Sequence, residues 1–303
     1  MNTLVDAHHH IWRQADLPWL TGPMQPRIFG PYEAIRRDYP IEEYLDDLRG
    51  CGVTQSVYVQ TNWAKEQFED EAAWVQRTAD EHGFPHAIVA YADMDTDDVR
   101  PQLDRLARYK LLRGVRMQLH WHDNPLYRFA ARPDLCADAL IRANIARLAD
   151  YGFSFDLQVF SGQMVDAAAL AEHCPGVTFI LQHAGMLEDL SPAGREAWRD
   201  GMQRLAACPN VVCKLSGLGT FIHRNEPAHI AGIVEETVAI FGSSRCLFGS
   251  NFPIEKLWTG YRDLVAAYQS ALAGFDESER DAVLRTNAMR VYRLRQDVPA
   301  TTV

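Results

Sequence analysis

The chain has 303 residues, 47% of them hydrophobic and 10% aromatic, which is enough for a large apolar core. Its formal net charge of -10 argues against a nucleic acid or an anionic membrane as its partner. No apolar run approaches the ~20 residues needed to span a bilayer, and the N-terminus shows no signal-peptide pattern. The sequence therefore predicts a cytoplasmic protein that acts on a small molecule.

Six cysteines are scattered along the chain without a C-x-x-C pair. Several lie inside predicted strands or at helix ends, where a free thiol behaves as a small hydrophobe. A structural zinc cluster would need closely spaced ligands. We therefore expect buried, reduced thiols.

The first predicted strand, residues 4–12, brings an aspartate and three histidines together within five residues. Because strand side chains alternate between faces, His8 and His10 should point the same way, ~7 Å apart, and Ala7 and His9 the other way. Two imidazoles at that spacing can bind one ion or one polar ligand. The plainer alternatives are an affinity-tag remnant, which is usually longer and not fused into a strand, and histidines with structural partners in the core.

A loop rich in proline and glycine follows at residues 13–40 and is long enough to form a pocket wall or lid. After a helix at residues 41–51, a module recurs: a short apolar strand, a polar tail, an amphipathic helix and often a glycine cap. The predicted strands are 55–62, 86–94, 111–120, 154–160, 177–185, 210–218 and 245–253. The predicted helices between them are 65–82, 97–109, 135–151, 163–173, 192–207 and 227–241, followed by an eighth at 261–272 and an extra one, packed outside, at 277–294.

Eight strands alternating with helices predict a parallel α/β sheet closed into a (β/α)8 TIM-like barrel. We expect one barrel domain over residues 1–303. The rival architecture is an open doubly wound sheet, which usually carries a glycine-rich phosphate loop after its first strand. A histidine run stands at that place instead, which favours the barrel.

The C-terminal ends of barrel strands build the active site, and the unusual polar residues of this chain fall there. Arg116 suits a substrate carboxylate, although a cation there could also form an ion pair on the barrel rim, and His120 could belong to a surface loop. Lys214 is harder to explain as structure, because a lysine in a buried strand needs a partner or a function. The candidate substrate-binding residues are Gln60, Asp93, Arg116, Gln118, His120 and Lys214.

The segment at residues 6–12, Asp-Ala-His-His-His-Ile-Trp, resembles the D-x-H-x-H opening of the amidohydrolase superfamily. The later segments QHAG (182–185), CKLSGL (213–218) and FGSNFP (248–253) resemble its "amidohydrolase 2" branch, which includes sugar-acid lactonases, pyrone-dicarboxylate lactonases and, more distantly, decarboxylases. The match runs from the first strand to the eighth. The resemblance implies a (β/α)8 barrel with His8, His10 and His183 facing the reaction centre.

One residue departs from that branch. Its eighth strand usually ends Gly-Ser-Asp-Trp-Pro, with the Asp as general base or metal ligand, whereas this chain has Asn251. An amide offers hydrogen bonds but no useful basicity. No lysine is placed to bridge two metals, so a binuclear site is not expected. We expect either no cofactor or a single weakly held divalent ion, Zn²⁺, on His8, His10 and His183.

These residues predict a hydrolase, most simply a lactonase that opens a small polar or acidic lactone from sugar-acid or aromatic catabolism. The catalytic candidates are His8, His10, His183 and Asn251, with His183, Asp93 and Glu255 as candidate bases in that order. Arg116 and Lys214 would bind an anionic group or stabilise the oxyanion. The alternatives are a metal-dependent amidohydrolase, a decarboxylase on the same barrel, or a barrel that binds a ligand without catalysis.

Overall fold

The structure, a computed structural model, describes residues 3–295. Its central sheet has eight parallel strands that pair in chain order. They are β1 Leu4–His9, β2 Val53–Val59, β3 Ala87–Ala90, β4 Leu112–Val115, β5 Ser154–Leu157, β6 Phe179–Leu181, β7 Val211–Leu215 and β8 Cys246–Phe248. The helices are α1 Pro18–Thr21, α2 Ile41–Leu48, α3 Phe68–His82, α4 Arg100–Leu106, α5 Ala139–Ala146, α6 Leu148–Tyr151, α7 Met164–His173, α8 Pro192–Ala207, α9 Pro227–Phe241, α10 Tyr261–Ala271, α11 Glu277–Asp281 and α12 Asn287–Val291.

The first and last strands meet and nearly close the sheet into a barrel. A parallel bridge links His9 to Phe252 just beyond β8. On either side of it, the Asn251 N–H donates to the His8 carbonyl at 2.7 Å, and the His10 N–H donates to the Phe252 carbonyl at 2.7 Å. With helices between successive strands, this arrangement confirms the predicted (β/α)8 barrel.

The strands begin close to their predicted positions but end earlier. β3 ends at Ala90 and β4 at Val115, whereas the sequence pattern extends to residues 94 and 120. The regular ladder stops where each strand's polar tail begins. These tails carry the candidate site residues over the C-terminal mouth of the barrel.

A register irregularity interrupts β1 just before His9. Ala7 lies in the apolar cluster inside the barrel, while the His8 and His10 rings approach each other with centroids 5.0 Å apart. His9 instead stacks on Tyr44 of α2 at 3.9 Å. The prediction that Ala7 shares a face with His9 is therefore wrong, because the irregularity changes the alternation of side chains.

The extra C-terminal segment forms α11, a π-helical turn at Ala282–Thr286, and α12. It does not lie outside the barrel as expected, since Ala288 and Tyr292 pack against the apolar residues inside it. Arg113, at the start of β4, donates from Nε to the Tyr292 carbonyl at 2.9 Å. The segment therefore covers the N-terminal end of the barrel, opposite the mouth.

The long segment 13–40 contains two short 3-10 turns besides α1. It is held to the barrel by an antiparallel bridge between Trp12 and Tyr39. The six cysteines are all buried and free, as expected. Within residues 3–295, no helix combines the length and apolar character needed to cross a membrane.

Candidate active site

A cavity of about 490 Å³ opens at the C-terminal end of the barrel. The long segment contributes Trp19, Arg27 and Phe29 to its wall, and residues 125–129 form another part. The structure brings seven of the ten predicted site residues to this cavity: His10, Gln60, Arg116, Gln118, His120, His183 and Asn251. His8, Asp93 and Lys214 are not among the lining residues.

The junction of β1 and β8 is built around Asp6. Its buried carboxylate accepts hydrogen bonds from the Ser250 N–H at 2.8 Å and hydroxyl at 2.6 Å, and from the hydroxyls of Tyr44 and Tyr261, each at 2.9 Å. Burial raises the pKa of Asp6, which these donors oppose. Gly249 allows the close approach, because a Cβ there would lie 2.7 Å from the His8 Cβ. Asp6 therefore places the β1 histidines beside Asn251.

Three histidine rings meet next to this junction. The His8 ring centroid lies 5.0 Å from that of His10 and 4.9 Å from that of His183. Burial lowers the pKa of all three rings, in His10 to about 3. All three imidazoles are therefore neutral near pH 7. His8 is fully buried, and neither of its ring nitrogens has a partner within residues 3–295.

The hydrogen bonds of two of these rings restrict their roles. His10 Nδ1 lies 2.6 Å from the Val59 carbonyl, and a carbonyl only accepts, so Nδ1 carries the proton and Nε2 keeps its lone pair. His183 Nδ1 lies 2.9 Å from the Ser216 hydroxyl. If Nδ1–H donates to Ser216 Oγ, the lone pair of His183 is also on Nε2.

Asn251 lies beside His10 and His183. Its backbone is left-handed, with φ 58°, a conformation that Asn and Asp tolerate better than most residues. Its side chain lies near the polar groups of His10 and Glu255. A Cβ at Gly217 (φ 61°) would lie 2.8 Å from His183 Nδ1 and 3.2 Å from Asn251 Nδ2, so this glycine leaves room for both groups.

Arg116 is a buried cation that faces the cavity. Its side chain donates to the Gln60 carbonyl at 2.6 Å, and its Nε has no partner. It forms no ion pair with any carboxylate in residues 3–295. Burial lowers its pKa to about 10, so the guanidinium stays charged near pH 7. Gln118 lies alongside, with its Oε1 3.4 Å from Gln60 Nε2.

Lys214 lies elsewhere, fully buried inside the barrel. Its ammonium donates to Asp156 Oδ2 at 2.9 Å and lies 5.3 Å from the centre of the Tyr292 ring. Gln182 donates to the same carboxylate oxygen at 2.9 Å. The expected contact between Lys214 and a substrate anion has no support in this geometry, because Asp156 already balances its charge. The sequence does hold a signal for the partner: Asp156 is the single charged residue of β5.

Two other candidates differ in their placement. Asp93 does not line the cavity and pairs with the lining residue Lys65, whose Nζ lies 3.2 Å from Asp93 Oδ2. His120 lines the cavity and stacks on Phe129, with centroids 5.3 Å apart. Burial and the nearby Arg116 charge lower the pKa of His120 to about 3. His120 is therefore a neutral wall residue rather than part of a surface loop.

The sequence reasoning missed Glu71, which shapes the turn that presents Gln60. This buried carboxylate accepts from the Thr61 N–H at 2.6 Å, the Thr61 hydroxyl at 3.0 Å and the Tyr58 hydroxyl at 2.8 Å. In the sequence it reads as an ordinary acidic residue in the first turn of a helix, so no signal distinguishes it. Arg27 and Gln158, which line the cavity, were also missed.

A single divalent ion on His8, His10 and His183 stays a prediction. Across the described part of the chain, no three His, Cys, Asp or Glu side chains stand together in a way that could hold a metal ion. The Nδ1 atoms of His10 and His183 contact Val59 and Ser216, which leaves the Nε2 atoms of both rings open.

The sequence profile of the amidohydrolase family matches residues 5–294. Protein y4mH of Sinorhizobium fredii is 37% identical over 96% of this chain and 98% of its own length. An L-fucono-1,5-lactonase of Burkholderia ambifaria is 27% identical over 97% of both chains. Crystal structures of an amidohydrolase from Burkholderia multivorans, one with bound HEPES and one with bound zinc, are 27% identical, cover 97% of this chain and 100% of their own, and superpose with a TM-score of 0.81. This chain therefore belongs to the amidohydrolase family and is a hydrolase.

Proposed function

We propose that this hydrolase is a lactonase whose substrate carries an anionic group. Two relatives that match nearly the whole chain, at 27% and 28% identity, are L-fucono-1,5-lactonases. A lactone also suits the site, because a ring ester is more easily attacked by water than an amide is.

The charge of the cavity is the observation that supports an anionic substrate. Among its lining residues there are four cations, Arg27, Lys65, Arg116 and Arg128, and no Asp or Glu. This contrasts with the net charge of -10 on the whole chain. Arg116 matters most, because a buried guanidinium without an ion-pair partner is costly until an anion binds it.

The neutral side chains of Asn251 and His183 can position and activate a water molecule for attack on the lactone. In this proposal a water molecule accepts a hydrogen bond from the Asn251 amide and loses a proton to His183 Nε2 as its oxygen adds to the lactone carbonyl. The ring C–O bond then breaks, and the leaving ring oxygen takes the proton back from His183. Water and lactone give a hydroxy acid, so every atom is accounted for.

Turnover on a lactone panel tests the proposal. We expect acid release, followed with a pH indicator, from lactones bearing a carboxylate, such as a muconolactone, with kcat/KM above that for uncharged sugar-acid lactones such as L-fucono-1,5-lactone. Equal or better turnover of the uncharged lactones would overturn the anionic preference. Binding without turnover would favour a ligand-binding protein, and CO₂ release from an aromatic acid would favour a decarboxylase.

The role of His183 is tested by the His183→Ala variant. Loss of a general base should lower kcat by ~10²–10⁴-fold. His122→Ala is a suitable control, because His122 lies outside the cavity lining and pairs with Glu188 at 3.4 Å. If both variants retain full activity, His183 is not the base.

A further inference from the structure

Gln158 lines the cavity, but the reaction proposed above gives it no role. It follows β5 directly and is 5% exposed. Two residues earlier, Asp156 points into the barrel, where it accepts from Lys214. Because strand side chains alternate between faces, Gln158 lies on the same side as Asp156, one layer nearer the mouth. A polar amide is therefore held at the reaction end of the barrel.

A neighbour just beyond β6 fixes which end of this amide is free. Gln158 Nε2 lies 3.4 Å from the sulfur of Met186. A thioether sulfur has no hydrogen to donate, so it can only accept, and the NH₂ group of Gln158 belongs on that side. The amide oxygen, Oε1, is buried and has no hydrogen-bond partner within residues 3–295. Gln158 therefore offers the cavity a hydrogen-bond acceptor that the fold leaves unsatisfied.

Arg116 and Gln158 are buried lining residues with opposite requirements. Arg116 Nε is a donor without an acceptor, and Gln158 Oε1 is an acceptor without a donor, and the two do not bond to each other. They follow neighbouring strands, β4 and β5, which pair at Val115 and Phe155. A carboxylate satisfies Arg116 but carries only acceptors. A ligand that satisfies both residues therefore needs a second group, one that donates a hydrogen bond.

We propose that Gln158 is a substrate-binding residue whose Oε1 accepts a hydrogen bond from a hydroxyl group of the substrate. The inference rests on the proposed lactonase function and narrows its substrate class to lactones that carry both a carboxylate and a free hydroxyl. In the free enzyme a water molecule can donate to Oε1. A lactone without the hydroxyl displaces that water and leaves the oxygen buried and unpaired, which weakens binding.

Carboxylated lactones that differ by a single hydroxyl test the proposal. The parent compound is 5-oxotetrahydrofuran-2-carboxylate, which has no free hydroxyl, and its 3-hydroxy and 4-hydroxy derivatives each add one. One of the hydroxylated lactones should have a kcat/KM about 10–100-fold above that of the parent. This preference should fall to near unity in Gln158→Met, which keeps the length of the side chain and removes the amide.

Two further variants separate hydrogen bonding from packing. Gln158→Glu keeps an acceptor, so it should keep the hydroxyl preference, although its charge should raise KM for all three lactones. A side chain that only fills space would give the same preference in Gln158→Met and Gln158→Glu. Gln55→Met is the control, because Gln55 is a buried glutamine near the other end of the barrel that donates to the Arg295 carbonyl at 2.9 Å. If Gln158→Met fails to fold, Gln158→Asn, which withdraws the acceptor by one methylene, takes its place.

Calorimetric binding of the open-chain acids tests the same contact without turnover. The parent lactone corresponds to 2-hydroxyglutarate, and its derivatives correspond to 2,3- and 2,4-dihydroxyglutarate. One dihydroxy acid should bind about tenfold more tightly than 2-hydroxyglutarate, and Gln158→Met should remove the difference. No hydroxyl preference in either assay, or a preference that Gln158→Met retains, would overturn the inference, and the lactonase proposal would stand if the lactones are still hydrolysed. A preference in binding that depends on Gln158, without hydrolysis of any lactone, would count against the lactonase proposal alone.

Discussion

Arg116 and Lys214 are both buried cations near the ends of barrel strands, but only Lys214 forms an ion pair within residues 3–295. Lys214 is fully buried and paired with Asp156 at 2.9 Å. Arg116 is 4% exposed, lines the cavity, and has only a carbonyl and no carboxylate as its hydrogen-bond acceptor within the described chain. One cation has a carboxylate partner within the fold, and we propose that the other binds the anionic group of the substrate. A buried cation indicates a binding site only when its counter-ion is missing from the protein.

The largest expected effect comes from breaking the balanced pair. Lys214→Met leaves Asp156 as an uncompensated buried charge, and it should lower the free energy of unfolding by ~3–5 kcal/mol. Denaturant unfolding followed by circular dichroism measures this loss. The double variant Lys214→Met/Asp156→Asn should recover much of it, because no lone charge remains. A loss below ~1 kcal/mol in the single variant would show that the pair is not structural.

Removing the unbalanced cation should affect binding instead. Arg116→Met should weaken transition-state stabilisation for a carboxylated lactone by ~2–3 kcal/mol, which is the value of a lost hydrogen bond to a charged group. The loss should appear in kcat/KM, mainly as a higher KM. The free energy of unfolding should change little. Arg100→Met is the matched control, because Arg100 is exposed, pairs with Asp98 and is not among the lining residues. Unchanged kinetics in Arg116→Met would assign Arg116 to structure.

The smallest expected effect comes from adding a carboxylate near Arg116. It tests whether that carboxylate can balance the charge of Arg116 as Asp156 balances the charge of Lys214. Asn251→Asp keeps a residue type that tolerates the left-handed backbone and places an acid in the cavity with Arg116. It should raise KM for an anionic lactone. Asn251→Ala should instead raise the activation free energy by ~1–2 kcal/mol, as for one lost oriented hydrogen bond, and so lower kcat. Identical effects of the two variants on KM would show that Arg116 does not sense charge at this position.

The sequence predicts the barrel well because strand and helix periodicities are local properties. Where a buried side chain finds its partner is not local. Lys214 and Asp156 lie on β7 and β5, 58 residues apart, and spacing alone does not show that they meet. The irregularity in β1 is similar, since it arises from pairing with β2 and reverses the expected orientation of Ala7 while His8 and His10 still meet.

The candidate site was predicted best where a side chain follows a strand directly, as for Gln60, Arg116 and His183. It was predicted least well where a loop supplies the wall. Nothing in segment 13–40 marks Arg27 as a lining residue, because its position depends on how the whole segment folds over the mouth. Glu255 was recognised as unusual, but the sequence does not show that it lies outside the cavity lining.

The junction held by Asp6 has a consequence for the synthesis of the protein. It joins residues 6–10 near the start of the chain to residues 250–252, more than 240 positions later. The first histidines leave the ribosome long before their partner Asn251 exists. An incomplete chain that lacks β8 therefore cannot assemble the site, however well its earlier βα units are formed. Catalytic competence should arise only in the last stage of folding, when the two ends of the sheet meet.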